Sequence, residues 1–359
     1  MKYAGNPGFS HQQADKIGVL VTNLGTPNAP TKGALQPYLK EFLSDPRVVE
    51  VPRLLWWFIL NGVILRFRPK RSAQAYATVW SEQGSPLMVH TKAQAEALST
   101  RCEETFGDKV IVDYAMRYGQ PAISDVIENM LSKGVRKLLV LPLYPQYSGS
   151  TVGSTFDAVA QDFKQRRWLP DLRFVSHYHD RPGYIQAMAD SIQRYWDTNG
   201  RADKLIMSYH GIPKRYLMNG DPYHCECLKT SRLIAEALDL GPDEYMTTFQ
   251  SRFGREEWLK PYTDETLKAL PAKGVKSVQV VCPGFSADCL ETIEEIGEEN
   301  REYFMHAGGE RYEYIPALNS EPGHISMLFD MVQENLHGWQ VDSDVELRAK
   351  LAKQHGCPR

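Results

Sequence analysis

Two stretches of the sequence place side chains that bind metals or move protons directly after segments typical of buried strands. His210 follows the apolar run 204–209 and precedes Gly211, so its imidazole is expected to project from the end of a strand. On position alone His210 fits a turn-capping histidine equally well. The second signal is residues 288–298, which indicate a helix with carboxylates at spacings of three and four, and therefore on one face. They are Asp288, Glu291, Glu295 and Glu298.

These residues suit divalent-metal binding or proton transfer. The helix dipole favours acidic residues in a first turn, but not a row of like charges that continues for further turns, since such neighbours repel. The row of like charges is better explained by a cation, or by protons, that move along it. Neutral imidazole and carboxylate oxygens suit a borderline metal such as Fe2+, Co2+ or Zn2+, and imidazole is also the base best matched to neutral pH. The residues leave open which of His210 and Glu291 is base and which is ligand.

A third feature is an apolar stretch that leads into a basic one. Residues 54–65 (LLWWFILNGVIL) precede four basic residues between positions 66 and 71. The stretch is shorter than the roughly 20 residues that span a bilayer. A solvated basic loop after a buried helix is the commoner structure for such a run. The functional interpretation is an apolar wall for a flat hydrophobic ligand, with guanidinium groups for its carboxylates, and residues 54–71 are also suited to peripheral contact with a membrane.

The elements that must position these residues follow an α/β pattern. Short β-branched runs without polar alternation each precede a loop and a segment of helical period. They are 17–24, 110–115 and 137–144 in the first half, and 204–209, 244–249 and 275–281 in the second. We expect two domains of like topology at 17–172 and 173–322, followed by a helix and charged tail at 323–359. Ligands bind such sheets beyond the carboxyl ends of the strands.

Composition excludes several classes of function. The chain has 359 residues, is 42% hydrophobic and has a formal net charge of -3, so no overall field attracts nucleic acid, and none is expected as a partner. No phosphate-binding glycine motif follows any strand run. No apolar run precedes Ile17, which predicts a cytoplasmic protein. Six cysteines at irregular spacing indicate thiols. No pattern indicates an oligomeric state.

Several short strings, in order and spacing, resemble the ferrochelatase family over most of the chain. They are VTNLGTP (21–27), MRY (116–118), YPQYS (144–148), SYHGIP (208–213), GDPY (220–223) and PGFSADCLET (283–292). The resemblance implies two Rossmann-like domains, each a parallel sheet flanked by helices, with the active-site cleft between them. It implies a lyase that inserts Fe2+ into protoporphyrin IX, giving protohaem and two protons, at the last step of haem biosynthesis.

The resemblance also implies roles for individual residues. His210 and Glu291 would form the iron site, with Asp288 as a further catalytic residue. Eleven residues would line the macrocycle pocket or hold its propionates: Leu24, Arg68, Arg71, Tyr76, Ser85, Arg117, Tyr118, Tyr144, Ser251, Trp258 and Phe285.

The sequence departs from animal members of that family, which hold a [2Fe–2S] cluster on one internal cysteine and three in a C-terminal tail. Here Gly149 follows Ser148 and the tail contains only Cys357, so four thiolates cannot assemble. We expect no cluster and no cofactor beyond the substrate Fe2+. Some bacterial members use other internal cysteines, an alternative left open by Cys225, Cys227, Cys282 and Cys289.

Three other functions fit the same residues. A related chelatase would act on coproporphyrin or another porphyrinoid, or insert cobalt. A non-enzymatic haem or metal carrier would use His210 as an axial ligand and hold its haem in a stable complex, whereas a chelatase must release its product. A two-lobed solute-binding protein is disfavoured, because such proteins are usually exported and no signal segment is evident.

Overall fold

A computed structural model describes residues 3–6, 8–254, 256–339 and 344–357 and contains two parallel sheets. The strands of the first are β1 Lys16–Thr26, β2 Val110–Gly119, β3 Val135–Pro142 and β4 Asp171–Phe174, in the order β2-β1-β3-β4. Those of the second are β5 Lys204–His210, β6 Tyr245–Gln250, β7 Ser277–Val281 and β8 Arg311–Tyr314, in the order β6-β5-β7-β8. The predicted pair of like α/β domains is confirmed.

Helices flank both sheets. In the first half they are α1 Lys32–Ser44, α2 Arg53–Ile59, α3 Leu65–Val79, α4 Pro86–Phe106, α5 Ile123–Ser132, α6 Ser154–Phe163 and α7 Pro182–Asn199. In the second half they are α8 Lys214–Met218, α9 Tyr223–Ala237, α10 Thr263–Ala269, α11 Asn300–His306, α12 Pro322–Leu336 and α13 Val345–Gln354. Within the described ranges, three segments are π-helical: Leu60–Ile64, Gly149–Gly153 and Glu291–Glu299.

The glycine at the end of β1 is required by close packing against β2. Gly25 has a φ of 109° and pairs with Tyr118 in the parallel register. A Cβ at Gly25 would lie 1.8 Å from the Tyr118 carbonyl oxygen, so no other residue fits. This contact brings the Leu-Gly-Thr-Pro turn beside the Met-Arg-Tyr string.

One hydrophobic core joins the two domains. It contains Val19 and Leu139 from the first sheet and Met207 and Val281 from the second. The helices α7 and α12 supply much of the rest, and α12 packs on both α7 and α4. The helix α12, from the second half of the chain, therefore lies against the first domain. A continuous core of this kind limits relative motion of the two sheets.

The first sheet extends beyond the residue at which we expect the first domain to end. The expected boundary between 172 and 173 falls inside β4, whose Phe174 pairs with Val140. The division at 17–172, 173–322 and 323–359 stays a prediction, and residues 340–343 and 358–359 of its last part lie outside the described residues.

The apolar and basic stretches form one helical segment. The chain runs from α2 through the π-helical turn Leu60–Ile64 into α3, which contains the basic residues. The alternative of a buried helix followed by a loop is wrong. One face packs on α1, while seven apolar residues face outward: Leu54, Leu55, Trp57, Phe58, Ile59, Val63 and Phe67. Among the helices of the described ranges, none has the length and apolar character needed to cross a bilayer.

Candidate active site

His210 is the last residue of β5 and is half-buried at the strand's carboxyl end. Its Nδ1 lies 2.7 Å from the carbonyl oxygen of Gly211. A carbonyl oxygen only accepts hydrogen bonds, so Nδ1 must donate and the neutral ring carries its lone pair on Nε2. The strand end therefore presents a fixed tautomer with a free nitrogen. This geometry suits a base or a metal ligand.

Glu291 begins a π-helix, and this changes the expected arrangement of the carboxylates. The segment Glu291–Glu299 forms i→i+5 hydrogen bonds, so each turn is wider than in the α-helix that the spacing predicted. The α-helical prediction is wrong here. The buried carboxyl of Glu295 lies beside the charges of Glu291 and Glu299, whereas Glu298 is exposed. Glu299 is exposed as well, so the row of carboxylates runs from the buried carboxyl of Glu295 to the protein surface.

A buried glutamine connects the strand that carries His210 to the turn that carries Glu291. Gln250 ends β6 and pairs with His210 in the parallel register. Its Nε2 donates to the backbone oxygen of Glu291 at 3.0 Å, and its Oε1 accepts from the Ser208 hydroxyl at 2.8 Å. Gln250 is therefore the strand neighbour of His210 and a side-chain donor to the backbone of Glu291.

The side chain of Glu291 faces helices of the other domain. Burial raises the pKa of Tyr76 well above its usual value, and the negative charge of Glu291 raises it further. The same charge acts on Tyr38 of α1 and on Arg68 of α3. Tyr38 donates from its hydroxyl to Gly25 O at 3.0 Å, which fixes α1 against the end of β1. Glu291 therefore lies in the cleft between the two domains.

The environment of Glu295 places its protonation change near neutral pH. Burial raises its pKa to about 7, and the charge of Glu291 adds to that effect. Its carboxylate accepts from the backbone N–H of Ser251 at 2.8 Å and from the Ser251 hydroxyl at 2.5 Å. These bonds hold Ser251 in a left-handed conformation, with a φ of 63°. A group of this kind takes up and releases protons readily at physiological pH.

Asp288 is buried and saturated with hydrogen bonds. Its Oδ1 accepts from Thr292 Oγ1 at 2.9 Å and from Tyr314 Oη at 2.6 Å, and also from a backbone N–H. Its Oδ2 accepts from Asn319 Nδ2 at 2.8 Å. Because both oxygens are occupied, Asp288 fits a positioning role: it fixes the start of the π-helix that carries Glu291.

Replacing Asp288 by asparagine should lower the free energy of unfolding by about 1.5–3 kcal/mol, since an amide group cannot accept all four hydrogen bonds. Urea unfolding followed by circular dichroism measures the loss. The control is Asp330→Asn, because Asp330 is exposed on α12 and its change should stay within about 0.5 kcal/mol. Equal stabilities for the two variants would contradict the role assigned to Asp288.

Arg117 and Tyr118 belong to a network around Asp45. Asp45 Oδ2 accepts from Arg117 Nη2 at 2.6 Å, from Tyr118 Oη at 2.8 Å and from Ser154 Oγ at 2.6 Å. Burial acts to raise the pKa of Asp45, but these hydrogen bonds and the charge of Arg117 outweigh it and lower the pKa. Asp45 and Ser154 were not predicted as site residues, because only the fold brings them together. The network fixes the end of β2 beside the cleft.

Arg68 and Arg71 lie on α3 near the π-helix. The guanidinium carbon of Arg68 lies 5.0 Å from the centre of the Phe253 ring. Burial lowers the pKa of Arg68, while the charge of Glu291 acts in the opposite direction. Arg71 is exposed and its charge acts on both Arg68 and Glu294. The two arginines therefore form a basic edge along one side of the cleft.

The other predicted pocket residues occupy different surroundings. Leu24 and Leu290 both pack against the hydrophobic cluster that contains Tyr76. Among the described residues, the Tyr144 hydroxyl and the Trp258 Nε1 are buried without a hydrogen-bond partner. Such groups cost about 1–3 kcal/mol each unless a ligand satisfies them.

Phe285 and Ser85 contact the core and a helix end, respectively. Phe285 packs against the core of the second domain. Ser85 caps α4, where its hydroxyl accepts from Met88 N at 3.3 Å.

This geometry defines a class of protein: a two-domain metal chelatase, with a free imidazole nitrogen and a row of carboxylates beside the cleft between parallel sheets. A sequence model of the family described as Ferrochelatase matches residues 16–336. The chain belongs to the ferrochelatase family, as the sequence strings predicted.

Individual relatives agree with this assignment. The protein named "Ferrochelatase" from Idiomarina loihiensis is 72% identical over 354 residues, covering 99% of this chain and 97% of that one. The protein of the same name from Pseudoalteromonas atlantica is 67% identical over 360 residues, covering 100% of both. Among solved structures, "SirB from Bacillus subtilis with Fe3+" is similar with a TM-score of 0.50 and 13% identity, covering 92% of this chain and 100% of that one. That likeness concerns the fold.

Proposed function

We propose that this chain is a lyase that inserts Fe2+ into protoporphyrin IX, giving protohaem and two protons, at the last step of haem biosynthesis. The observation that carries the proposal is the arrangement around Gln250. Its side chain donates to the Glu291 backbone oxygen, and its backbone pairs with that of His210, whose imidazole has a fixed tautomer with a free Nε2. Family membership supports the same reaction.

The proposed reaction exchanges two pyrrole N–H protons for one Fe2+ ion. A flat macrocycle hides its nitrogen lone pairs, so the cleft must bend the ring, with binding energy from its periphery opposing the strain. His210 Nε2 accepts a pyrrole proton, while the carboxylate of Glu291 binds the incoming ion. Glu295, whose pKa is about 7, accepts released protons and passes them along the π-helix towards Glu299.

The remaining residues act on the macrocycle. Arg68 and Arg71 pair with the propionates from the basic edge of the cleft. The unsatisfied donors of Tyr144 and Trp258 find partners when the ligand is bound. We propose that six further residues shape or support the pocket: Leu24, Tyr76, Arg117, Tyr118, Ser251 and Phe285. Ser85 supports it through the N-terminus of α4.

The test is anaerobic absorption spectroscopy of the purified chain with protoporphyrin IX and Fe2+. An enzyme forms many molecules of metalloporphyrin per chain and releases them. A stable coloured complex that stops at one haem per chain would overturn the proposal and identify a carrier. Parallel rates with coproporphyrin and with Co2+ decide which macrocycle and metal are used best.

We propose that no cofactor is needed beyond the substrate iron. Burial raises the pKa of the thiols of Cys227, Cys282 and Cys289 well above the usual value, which disfavours the thiolate form that a cluster requires. Cys225 is exposed. The colour of the protein before any addition tests this point. A cytoplasmic location stays part of the proposal.

The outward apolar face of α2 and α3 is proposed as a peripheral membrane contact, since a hydrophobic substrate partitions into lipid. Trp57→Glu should weaken flotation with anionic liposomes about tenfold or more, because a buried aromatic ring contributes about 1.5–3 kcal/mol. Trp168→Glu is the matched control: Trp57 is 58% exposed and Trp168 is 49% exposed, on another part of the surface. Equal flotation of both variants would contradict the proposed membrane contact.

A further inference from the structure

A second group of potential metal ligands lies outside the cleft. It consists of His177, His179 and Glu226, whose ligand atoms all lie within 4.8 Å of one another. The His177 Nδ1 is 2.8 Å from Glu226 Oε1, and the His179 Nδ1 is 3.3 Å from Glu226 Oε2. The two histidines follow β4 of the first domain, whereas Glu226 is on α9 of the second. The group therefore joins the two domains.

We propose that His177, His179 and Glu226 bind a borderline divalent metal ion, of which Zn2+ is the type, and that the ion bridges the two domains. Two imidazole nitrogens and one carboxylate are a ligand set that zinc uses when a fourth position stays open to water. Ligand atoms around a tetrahedral ion, at about 2.0–2.2 Å from it, stand roughly 3.5 Å apart. The 3.3 Å between His179 and Glu226 is close to that value, whereas the 2.8 Å between His177 and Glu226 is that of the hydrogen bond formed without an ion. The proposal does not rest on the proposed function.

His179 is the residue that points most clearly to a ligand. It is 6% exposed, and its Nδ1 has no hydrogen-bond partner within the described ranges. The ring nevertheless directs this nitrogen towards a carboxylate oxygen 3.3 Å away. A buried, unpartnered nitrogen costs about 1–3 kcal/mol, which a metal ion at this position would recover.

The carboxylate is held in place before any ion binds. The backbone N–H of Tyr147 donates to Glu226 Oε2 at 2.7 Å. The Thr230 hydroxyl lies 2.9 Å from the carbonyl oxygen of His179 and 3.0 Å from that of Glu226, so it connects both ligand backbones. Gln146 donates to the same hydroxyl at 3.0 Å. Supports of this kind fix ligand orientation in metal sites.

Entry of the ion requires only a shift of one ring proton. The side chain of His177 is 49% exposed, so an ion reaches the group from solvent. At present its Nδ1 donates to Glu226, since a carboxylate only accepts. On binding, that proton leaves Nδ1 and a proton from water occupies Nε2, so the neutral ring keeps one proton and offers its Nδ1 lone pair to the ion. The fourth ligand is water.

The test is equilibrium dialysis of the full chain against Zn2+. The wild type and the His210→Ala variant should each retain one equivalent that the His177→Ala/His179→Ala variant lacks. The control is His306→Ala, because His306 is exposed on α11. The same stoichiometry in the double variant and the wild type would overturn the proposal. Retention by His210→Ala separates this site from the cleft.

A second measurement guards against misfolding of the double variant. His177→Ala alone removes the hydrogen bond from a half-exposed ring to Glu226 and should lower the apoprotein's thermal midpoint by only a few degrees, because water can take the place of the ring. Zn2+ should raise the midpoint of the wild type and of His306→Ala, and raise that of His177→Ala by less than half as much. An equal rise of the thermal midpoint in all three proteins would overturn the proposed metal site. Insertion rates measured on the same proteins report on the cleft separately.

Discussion

His210→Ala and Glu291→Gln should each lower the rate of metalloporphyrin formation by about 10²–10⁴-fold, the usual contribution of a positioned acid or base. The alanine variant removes the free Nε2 whose tautomer the Gly211 carbonyl fixes. The glutamine variant keeps the shape and the backbone bond to Gln250 but removes the negative charge. Both variants should fold, because neither side chain fills a core.

Initial rates with saturating protoporphyrin and Fe2+ measure this effect, with far-ultraviolet circular dichroism as the check on folding. His306→Ala and Glu302→Gln are matched controls, since both residues are exposed on α11, directly after the π-helix. Controls that lose as much activity as the cleft variants would show a general effect of charge or helix stability. Near-normal turnover in folded His210→Ala and Glu291→Gln would refute the proposed mechanism.

Between about pH 6.5 and pH 4 the protein should lose about 3 kcal/mol of stability through one residue, His324. Burial lowers its pKa from 6.5 to about 4. In that interval His324 binds a proton in the unfolded chain but not in the folded chain, so acid favours unfolding. The stabilising contribution is complete above pH 6.5 and is lost as the pH falls towards 4.

The effect of His324 reaches the site through Asn319. The ring Nδ1 of His324 donates to the Asn319 carbonyl oxygen at 2.7 Å, and the Asn319 side chain holds Asp288. Protonation of the buried ring therefore strains the support of the π-helix. The folded chain takes up this proton only near pH 4, so activity should persist through the interval in which stability falls and be lost as the pH approaches 4.

Urea unfolding at about pH 7.5 and about pH 4.5 measures the difference. The His324→Gln variant cannot titrate, so its stability should change with pH by about 3 kcal/mol less than that of the wild type. The His306→Ala variant, which removes an exposed imidazole, should follow the wild type. Identical pH dependence of His324→Gln and the wild type would show that another group causes the acid sensitivity.

Strand positions and the ends of strands were predictable. Runs such as 17–24 and 204–209 are mostly apolar and lack polar alternation, because both faces of a central parallel strand are buried. The position of His210 follows directly from that pattern. The short edge strands β4 and β8 were not predicted. Their sequences, DLRF and RYEY, contain charged residues, which are common in edge strands but do not match the apolar pattern of a central strand.

Local geometry of the carboxylate row was not predictable. Spacings of three and four fit an α-helix, and a π-helix is too rare to be expected from a sequence. The hydrogen bonds that surround Asp288, and the pairing of Glu295 with Ser251, stabilise the wider turns through residues distant in the chain. The helix propensity of the local sequence does not reflect contacts with distant residues.

By itself, the sequence determined the two parallel sheets, the family and the residue types at the carboxyl ends of the strands. All of these depend on periodicity and on strings that lie within one stretch of chain. Tertiary structure alone decided which side chains meet: Glu291 against Arg68 and Tyr76, and His177 and His179 against Glu226. The physical reason is that a cleft and a bridging site are formed by packing between domains, and packing depends on contacts across the whole chain.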